Sequence, residues 1–212
     1  MNHSSEIITK VLTKDRQMPM IEERIITTDK AMETELVLRS GQGDRGSFRQ
    51  LYRNYQQQVR STLYQLCGEH MLDDLVQEAF LRAWKGLPAL RQASHFSTWL
   101  YRISWNVAND HRRKNFPLWR SLNQDEQAFS NTPSRAEDTP DLMRLHYQDL
   151  VQRGLQTLSL EQRGVIVLHD LEDIPQKEIA QILNIPEGTV KSRLFHARKA
   201  LKKYLQQQRV SL

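Results

Sequence analysis

Cysteine is nearly absent from this chain, with Cys67 alone among 212 residues. One thiol makes no intrachain disulfide and no cysteine-rich zinc site, so a reducing compartment and a buried structural role are expected. Long apolar runs are missing too. The opening residues, MNHSSEIITKVLTKDRQMPMIEER, assemble no apolar signal-peptide region, and no stretch approaches the ~18 consecutive apolar residues of a membrane span. These absences predict a soluble, unexported chain with no direct membrane insertion. The seven histidines show no H-x-x-x-H spacing, so no metal and no cofactor are expected. Glycine and proline are few, and no convincing strand alternation occurs.

What remains is helical rhythm, with apolar residues recurring every three to four positions over most of the chain. The expected fold is all-α: two small helical domains, an N-terminal bundle and a C-terminal helix-turn-helix domain, joined by a flexible linker. An apolar share of 39% supplies modest cores of that size. Residues 1–31 read as a polar extension, with Met32 a candidate alternative start. Helical patterning over roughly 33–40, 47–67, 72–85 and 95–115 gives a first domain at 32–115. The stretch FPLWRSLNQDEQAFSNTPSRAEDTP, with Pro117, Pro133 and Pro140, reads as a linker over 116–140. A second domain at 141–212 opens with a helix over 141–156. There Ser159-Leu-Glu-Gln162 forms a capping box for a helix to about Leu171, and two more helices follow.

The letters Gly41-Gln-Gly43-Asp-Arg-Gly46 match G-x-G-x-x-G, but that motif needs a preceding strand and a βαβ unit, and both flanks here are helical. We read it as a glycine-terminated helix turning into the next one. A nucleotide-dependent enzyme would rest on these three glycines alone.

In PQKEIAQILNIPEGTVKSRLFHARKALKKYL, a short helix places Ile179, Ile182 and Leu183 inward, and Asn184 to Gly188 make a turn. The next helix places Val190, Leu194, Ala197 and Leu201 inward. This spacing is that of a helix-turn-helix whose second helix enters a DNA major groove. Its other side carries Lys191, Ser192, Phe195, His196 and Lys199, flanked by Arg193 and Arg198. From Pro175 onward eight basic residues face two acidic ones, Glu178 and Glu187, which favours a polyanionic partner.

At this point the chain resembles a known family. IPEGTVKSRLFHARKAL, with LSLEQRGVIVLHDLED upstream, resembles the promoter-binding C-terminal domain of bacterial sigma factors. DDLVQEAFLRAW and FSTWLYRISWNVANDHRRK resemble their N-terminal domain. The two blocks come in family order over about 33–205, with a short linker and no extra domains, as in the extracytoplasmic-function (ECF) group.

The resemblance implies a non-enzymatic subunit with no catalytic residues. Its partners would be RNA polymerase core, through the beta-prime and beta subunits, and promoter DNA, with an anti-sigma factor as inhibitor. Its place would be the cytoplasm, with the membrane reached only through such an inhibitor. It implies docking on the beta-prime coiled coil by Asp74, Gln77, Glu78 and Leu81, which lie opposite the core stripe Val76, Ala79, Phe80 and Ala83. It implies minus-thirty-five contacts by Lys191, Ser192, Phe195 and His196, with Arg193 and Lys199 beside them. Lysine and histidine lack the arginine fork, so the preferred motif is expected to differ from one read by arginine. Capture of a flipped minus-ten base falls to the loop with Arg91, Gln92, Ser94 and His95. The rival class is a helix-turn-helix regulator that binds DNA alone, although the N-terminal block offers no α/β receiver pattern.

The stretch FSTWLYRISWNVANDHRRK, Phe96 to Lys114, divides on a wheel of ~100° per residue. Phe96, Trp99, Leu100, Ile103 and Val107 form the core side. Tyr101, Trp105, Ala108, Asn109 and Arg112 fall on the other, with Arg113 following. Exposed aromatics among arginines suit unstacked bases and phosphates in opened DNA. The alternative is a Trp105 that packs on a neighbouring segment.

Overall fold

The computed structural model describes the backbone of residues 22–125 and 140–208, and side chains within 30–114 and 147–208. Eight α-helices and no strand occur among the described residues. Helix α1 spans Glu22–Gly41, and Gly43 takes φ 93° in the turn that ends it. Asp44 then opens α2, Arg45–Cys67: its side chain accepts from the Gly46 N–H at 2.8 Å and from Ser47 Oγ at 2.7 Å. The hydrogen bonds from Ser47 and Gly46 hold the Asp44 carboxyl below its ordinary range. The glycine motif is thus a helix end and a helix cap, as its flanks required.

Helix α3, Leu72–Gly86, carries Asp73 and Asp74 in its first turn, where carboxylates favour the positive helix end. Two short turns, Leu87–Ala89 and Ala93–His95, lead into α4, Phe96–Asp125. The core of this first domain forms where the apolar stripes of α2, α3 and α4 meet. Leu51, Leu63, Ala79, Ala83 and Phe96 are fully enclosed there. Tyr55 meets Phe96 edge-on at 5.3 Å between ring centres, and Phe48 meets Phe80 at 6.4 Å.

The second domain consists of α5 (Pro140–Gln156), α6 (Leu160–Ile166), α7 (Gln176–Leu183) and α8 (Glu187–Gln207). Ser159 and Gln162 form the expected reciprocal capping box at the start of α6. Leu155, Val165, Ile166, Ile179, Val190 and Leu201 form its core.

Three boundaries differ from the sequence expectation. Helix α1 starts at Glu22, inside the stretch read as an extension, because weak periodicity does not prevent helix where good helix formers dominate. Helix α4 runs ten residues into the expected linker and through Pro117. A proline there removes one hydrogen bond, and the helix-compatible residues around it carry the helix on. The helix expected to reach Leu171 keeps α geometry only to Ile166, then widens into a π-type turn at Val167–Leu171. The rest of the linker, 126–139, and residues 1–21 lie outside the described residues.

The two domains pack together, α5 and α6 against α2, and α7 against α4. Arg163 of α6, 5% exposed, donates to the Leu66 carbonyl in the last turn of α2 and to the Gln156 and Leu158 carbonyls at the end of α5. Burial lowers its pKa to about 10. Gln152 donates to the Tyr64 carbonyl at 2.8 Å. The C-terminal carbonyls of an N-terminal-domain helix are therefore satisfied by side chains of the C-terminal domain. Beside them Cys67 is half-buried, and burial pushes its thiol up to about 11, so it stays protonated and unreactive.

Two leucines separate core from surface. Leu63→Ala, at a site with no exposure, should cost about 2–5 kcal/mol, while Leu81→Ala, at a site 46% exposed, should change stability by no more than about 0.5 kcal/mol. Urea unfolding followed by circular dichroism measures both.

Candidate functional site

Four surfaces carry the predicted site residues, and the backbone sets each differently. On α3 the stripe Val76, Ala79, Phe80 and Ala83 is buried, which turns Asp74, Gln77 and Leu81 outward as expected. Leu81 borders a groove of about 760 Å³ shared with Phe48, Arg49, Tyr52, Phe80 and Trp84. Tyr52 is itself 37% exposed, and its ring lies 4.6 Å from that of Phe80. Sequence reasoning missed the α2 wall of this groove, although aromatics at 48 and 52, one turn apart, were the available signal.

Glu78, expected on the same docking face, is half-buried and paired within the fold. Arg82 Nε donates to it at 2.7 Å and Arg82 Nη1 donates to Asp110 of α4 at 2.7 Å. Asp110 foremost, then Glu78, raises the Arg82 pKa. The triad ties α3 to α4, so Glu78 is engaged within the fold.

The loop before α4 is pinned by three buried residues, Leu87, Ala93 and Phe96, at 2%, 8% and 0% exposure. Between these anchors Arg91, Gln92, Ser94 and His95 are all exposed. A polar set on a fixed loop is able to offer several hydrogen bonds to a base edge without first ordering a chain.

Helix α4 holds the main correction. Its core side is as expected, with Phe96, Leu100 and Val107 buried and Trp99 half-buried. The opposite side was expected to be open, yet Tyr101 and Trp105 are each 9% exposed and Ala108 is fully buried. The physical reason is the second domain, which covers this side. The Trp105 ring lies on Gly164 of α6, and Tyr101 donates to Glu172 at 2.8 Å while accepting from Gln58. Burial, then the Glu172 carboxylate, drives the Tyr101 hydroxyl pKa upward, so it remains a donor. Asn109 is half-buried, Arg112 pairs with Glu161 at 3.0 Å, and Arg113 is exposed.

The fourth surface is α8. Asn184, at φ 54°, reverses the chain after α7, and Val190, Leu194, Ala197 and Leu201 are buried at 2% or less. Lys191, Ser192, Phe195, His196 and Lys199 are exposed, with Phe195 at 66%, and Arg193 is half-buried. An exposed phenyl between cations fits a groove that presents thymine methyls and phosphates. Ser192 Oγ donates to the Thr189 carbonyl at 3.1 Å, leaving its lone pairs outward.

The angle of α8 depends on a contact that spacing alone did not reveal. Arg198 donates to Asp170 through both Nε, at 2.9 Å, and Nη2, and His169 Nδ1 lies 2.7 Å from Asp170 Oδ1. The Asp170 side chain has no exposure. Burial alone would raise its pKa, but the hydrogen bonds from Arg198 and His169 outweigh that and hold it below the ordinary 3.8. The signal was a lone acid inside the apolar run VIVLHDL.

Among relatives, the description Sigma-70 region 2 matches residues 51–116, and Sigma-70, region 4 matches residues 148–201. Both regions in this order define a protein of the sigma-70 class. The chain is 32% identical over 185 residues to the ECF RNA polymerase sigma-E factor of Haemophilus influenzae, across 84% of this chain and 96% of that one. It is 32% identical over 171 residues to the ECF RNA polymerase sigma factor SigW of Bacillus subtilis, across 77% and 91%. The sigma factor RpoE, solved in complex with the anti-sigma factor NepR from Bartonella quintana, matches with TM-score 0.57 at 25% identity, across 75% and 96%. CnrH, solved in complex with the cytosolic domain of CnrY, shares the fold with TM-score 0.59 at 22% identity, across 82% and 97%. The chain belongs to the ECF RNA polymerase sigma factors.

Asp170 sets an acid limit on the C-terminal domain. Its folded pKa is depressed, so its stabilisation is present above the unfolded value near 3.8 and is lost as pH falls through the folded value. Asp170→Asn should lower the thermal midpoint at pH 7 and flatten the acid unfolding profile below about pH 4, as followed by circular dichroism.

Proposed function

We propose that the chain binds RNA polymerase core, directs it to a set of promoters and promotes melting there, without catalysing a reaction of its own. The observation that carries this reading is α8, whose buried stripe turns Lys191, Ser192, Phe195, His196 and Lys199 together toward solvent, in a chain that matches both sigma regions. On this reading, these side chains and Arg193 read the minus-thirty-five duplex. Lysine supplies a point charge where arginine would supply a fork, so phosphate attraction outweighs guanine discrimination at Lys191.

The groove beside Leu81 is the proposed seat of the polymerase, with Asp74, Gln77 and the tied Glu78 on its rim and beta-prime the subunit expected there. An exposed leucine among aromatics, rimmed by charge, has the make-up of a protein-binding centre. The loop residues Arg91, Gln92, Ser94 and His95 would hold the minus-ten base. Tyr101, Trp105, Asn109, Arg112 and Arg113 would face the opened strand once α4 is uncovered.

A cytoplasmic site and an anti-sigma partner complete the reading. They are supported by the relative solved with an anti-sigma factor and by the lack, among the described residues, of a helix long and apolar enough to cross a membrane.

Purified chain with core polymerase should give promoter-dependent RNA from genomic templates; tight operator binding without polymerase would favour the self-sufficient regulator instead. Leu81→Glu should weaken core binding by about tenfold or more, equivalent to about 1.4 kcal/mol, in a pull-down titration. Lys191→Ala should weaken duplex binding across sequences and reduce the slope of log affinity against log salt by about 1.

A further inference from the structure

Among the side chains that α8 turns to solvent, His196 differs in kind from Lys191, Ser192, Phe195 and Lys199. A lysine is charged and a serine or phenylalanine uncharged throughout the neutral range, whereas a histidine changes charge between about pH 5 and 8. The His196 ring is exposed and lies edge-on to the ring of Phe195, with centroids 5.4 Å apart and planes at 80°. That contact favours one ring position. Among the described residues no hydrogen bond or ion pair engages its nitrogens.

Arg193 and Lys199 stand three residues to either side of it along α8, and Ser192 four residues before, on the same helix face. Glu187, the one acid of α8, lies in the first turn and faces Lys191 at 3.7 Å. The elements packed against α8 engage their charges elsewhere. In the π-type turn, His169 and Asp170 hold Arg198. On α7, Glu178 accepts from Thr98 and Lys177 is exposed. On α6, Glu161 pairs with Arg112 and Arg163 bonds backbone carbonyls. On the described part of α5, Asp149 pairs with Arg153 at 2.8 Å. The ring nitrogens of His196 are therefore left for whatever α8 meets.

We propose that His196 is a specificity-determining residue whose base preference changes with its protonation. The proposal rests on the reading of α8 as the helix that enters the minus-thirty-five groove. An uncharged imidazole has one N–H and one bare nitrogen, so it can accept from the amino group of adenine or cytosine as well as donate to a base. An imidazolium has two N–H groups and no acceptor. It can donate to N7 or O6 of guanine with one nitrogen and to a phosphate with the other, and it has nothing to offer a cytosine amino group. Phosphates around an inserted helix favour the charged ring, so the duplex and a proton from solvent are taken up together. An arginine would read guanine at every pH; the histidine makes that preference conditional.

His169 is the other imidazole able to couple pH to α8. It lies 2.7 Å from Asp170, which holds Arg198, so its titration would shift the helix rather than read a base.

The full chain, without polymerase, selects duplexes from a randomised pool at about pH 6 and at about pH 8, and the enriched sequences are read and their affinities measured by anisotropy. The parent should enrich a motif in which one position favours guanine over cytosine about tenfold more strongly at the lower pH. His196→Gln should show no such change, and His196→Arg should favour guanine at both pH values. His169→Gln should keep the change seen in the parent.

A base preference that is the same at both pH values would overturn the inference. So would a change that survives His196→Gln, or one that disappears in a folded His169→Gln chain. A pool with no enriched motif at either pH overturns it together with α8 as a reader. Promoter-dependent transcription with core polymerase is scored separately. Its absence defeats the sigma reading, whereas its presence alongside a motif indifferent to pH defeats the role of His196 alone.

Discussion

The buried guanidinium of Arg163 is the contact on which the relation between the two domains depends. It sits at the C-terminal ends of α2 and α5, one from each domain, and bonds carbonyls of both. A cation at a helix C-terminus is favoured by the backbone dipoles, and here two such ends converge on one charge. Burial without a neighbouring carboxylate is costly, and the pKa lowered to about 10 is its sign. The position of α6 follows from this contact, and with it the seat of Gly164 beneath Trp105. Truncating Arg163 would orphan carbonyls on both domains at once. The contact therefore couples the packing of each domain to the closure of the pair.

Periodicity in the sequence reports which face of a helix meets its own domain. It says nothing of what covers the other face. The stripes of α2, α3 and α8 were legible for that reason, as were the capping box at Ser159 and the glycine turn at residues 41–46. Trp105 was correctly placed away from the first core, yet its environment is set by a glycine 59 positions later, and no window of helical length spans that distance. Arg198 was read as a flanking cation because its partner, Asp170, lies on a preceding element. The passage of α4 through Pro117 was missed because proline is a strong local signal that neighbouring helix formers can override. The exposed sets on α3, the loop at 91–95 and α8 were legible because each is the remainder of a local pattern.

Charge is divided within the C-terminal domain in a way that its total conceals. The outer side of α8 exposes Lys191 and Lys199, while the side of the domain turned to α4 carries Glu161, Glu172 and Glu178. A domain basic on one side and acidic on the other can approach DNA with the first while the second stays on α4. On the proposed reading the opposed signs also orient it, since a DNA duplex would be attracted to the α8 side and repelled by the acids of the other.

Closure leaves three of the four candidate surfaces open. Leu81 and its groove, the exposed side chains of the 91–95 loop and the outer side of α8 all remain accessible, and of the four only the side of α4 that carries Tyr101 and Trp105 is covered. On the proposed reading, the closed chain is able to meet polymerase and a minus-thirty-five duplex before it can hold an unpaired strand. Any binding energy that favours separated domains then adds to the population competent for melting, and energy indifferent to their separation adds nothing.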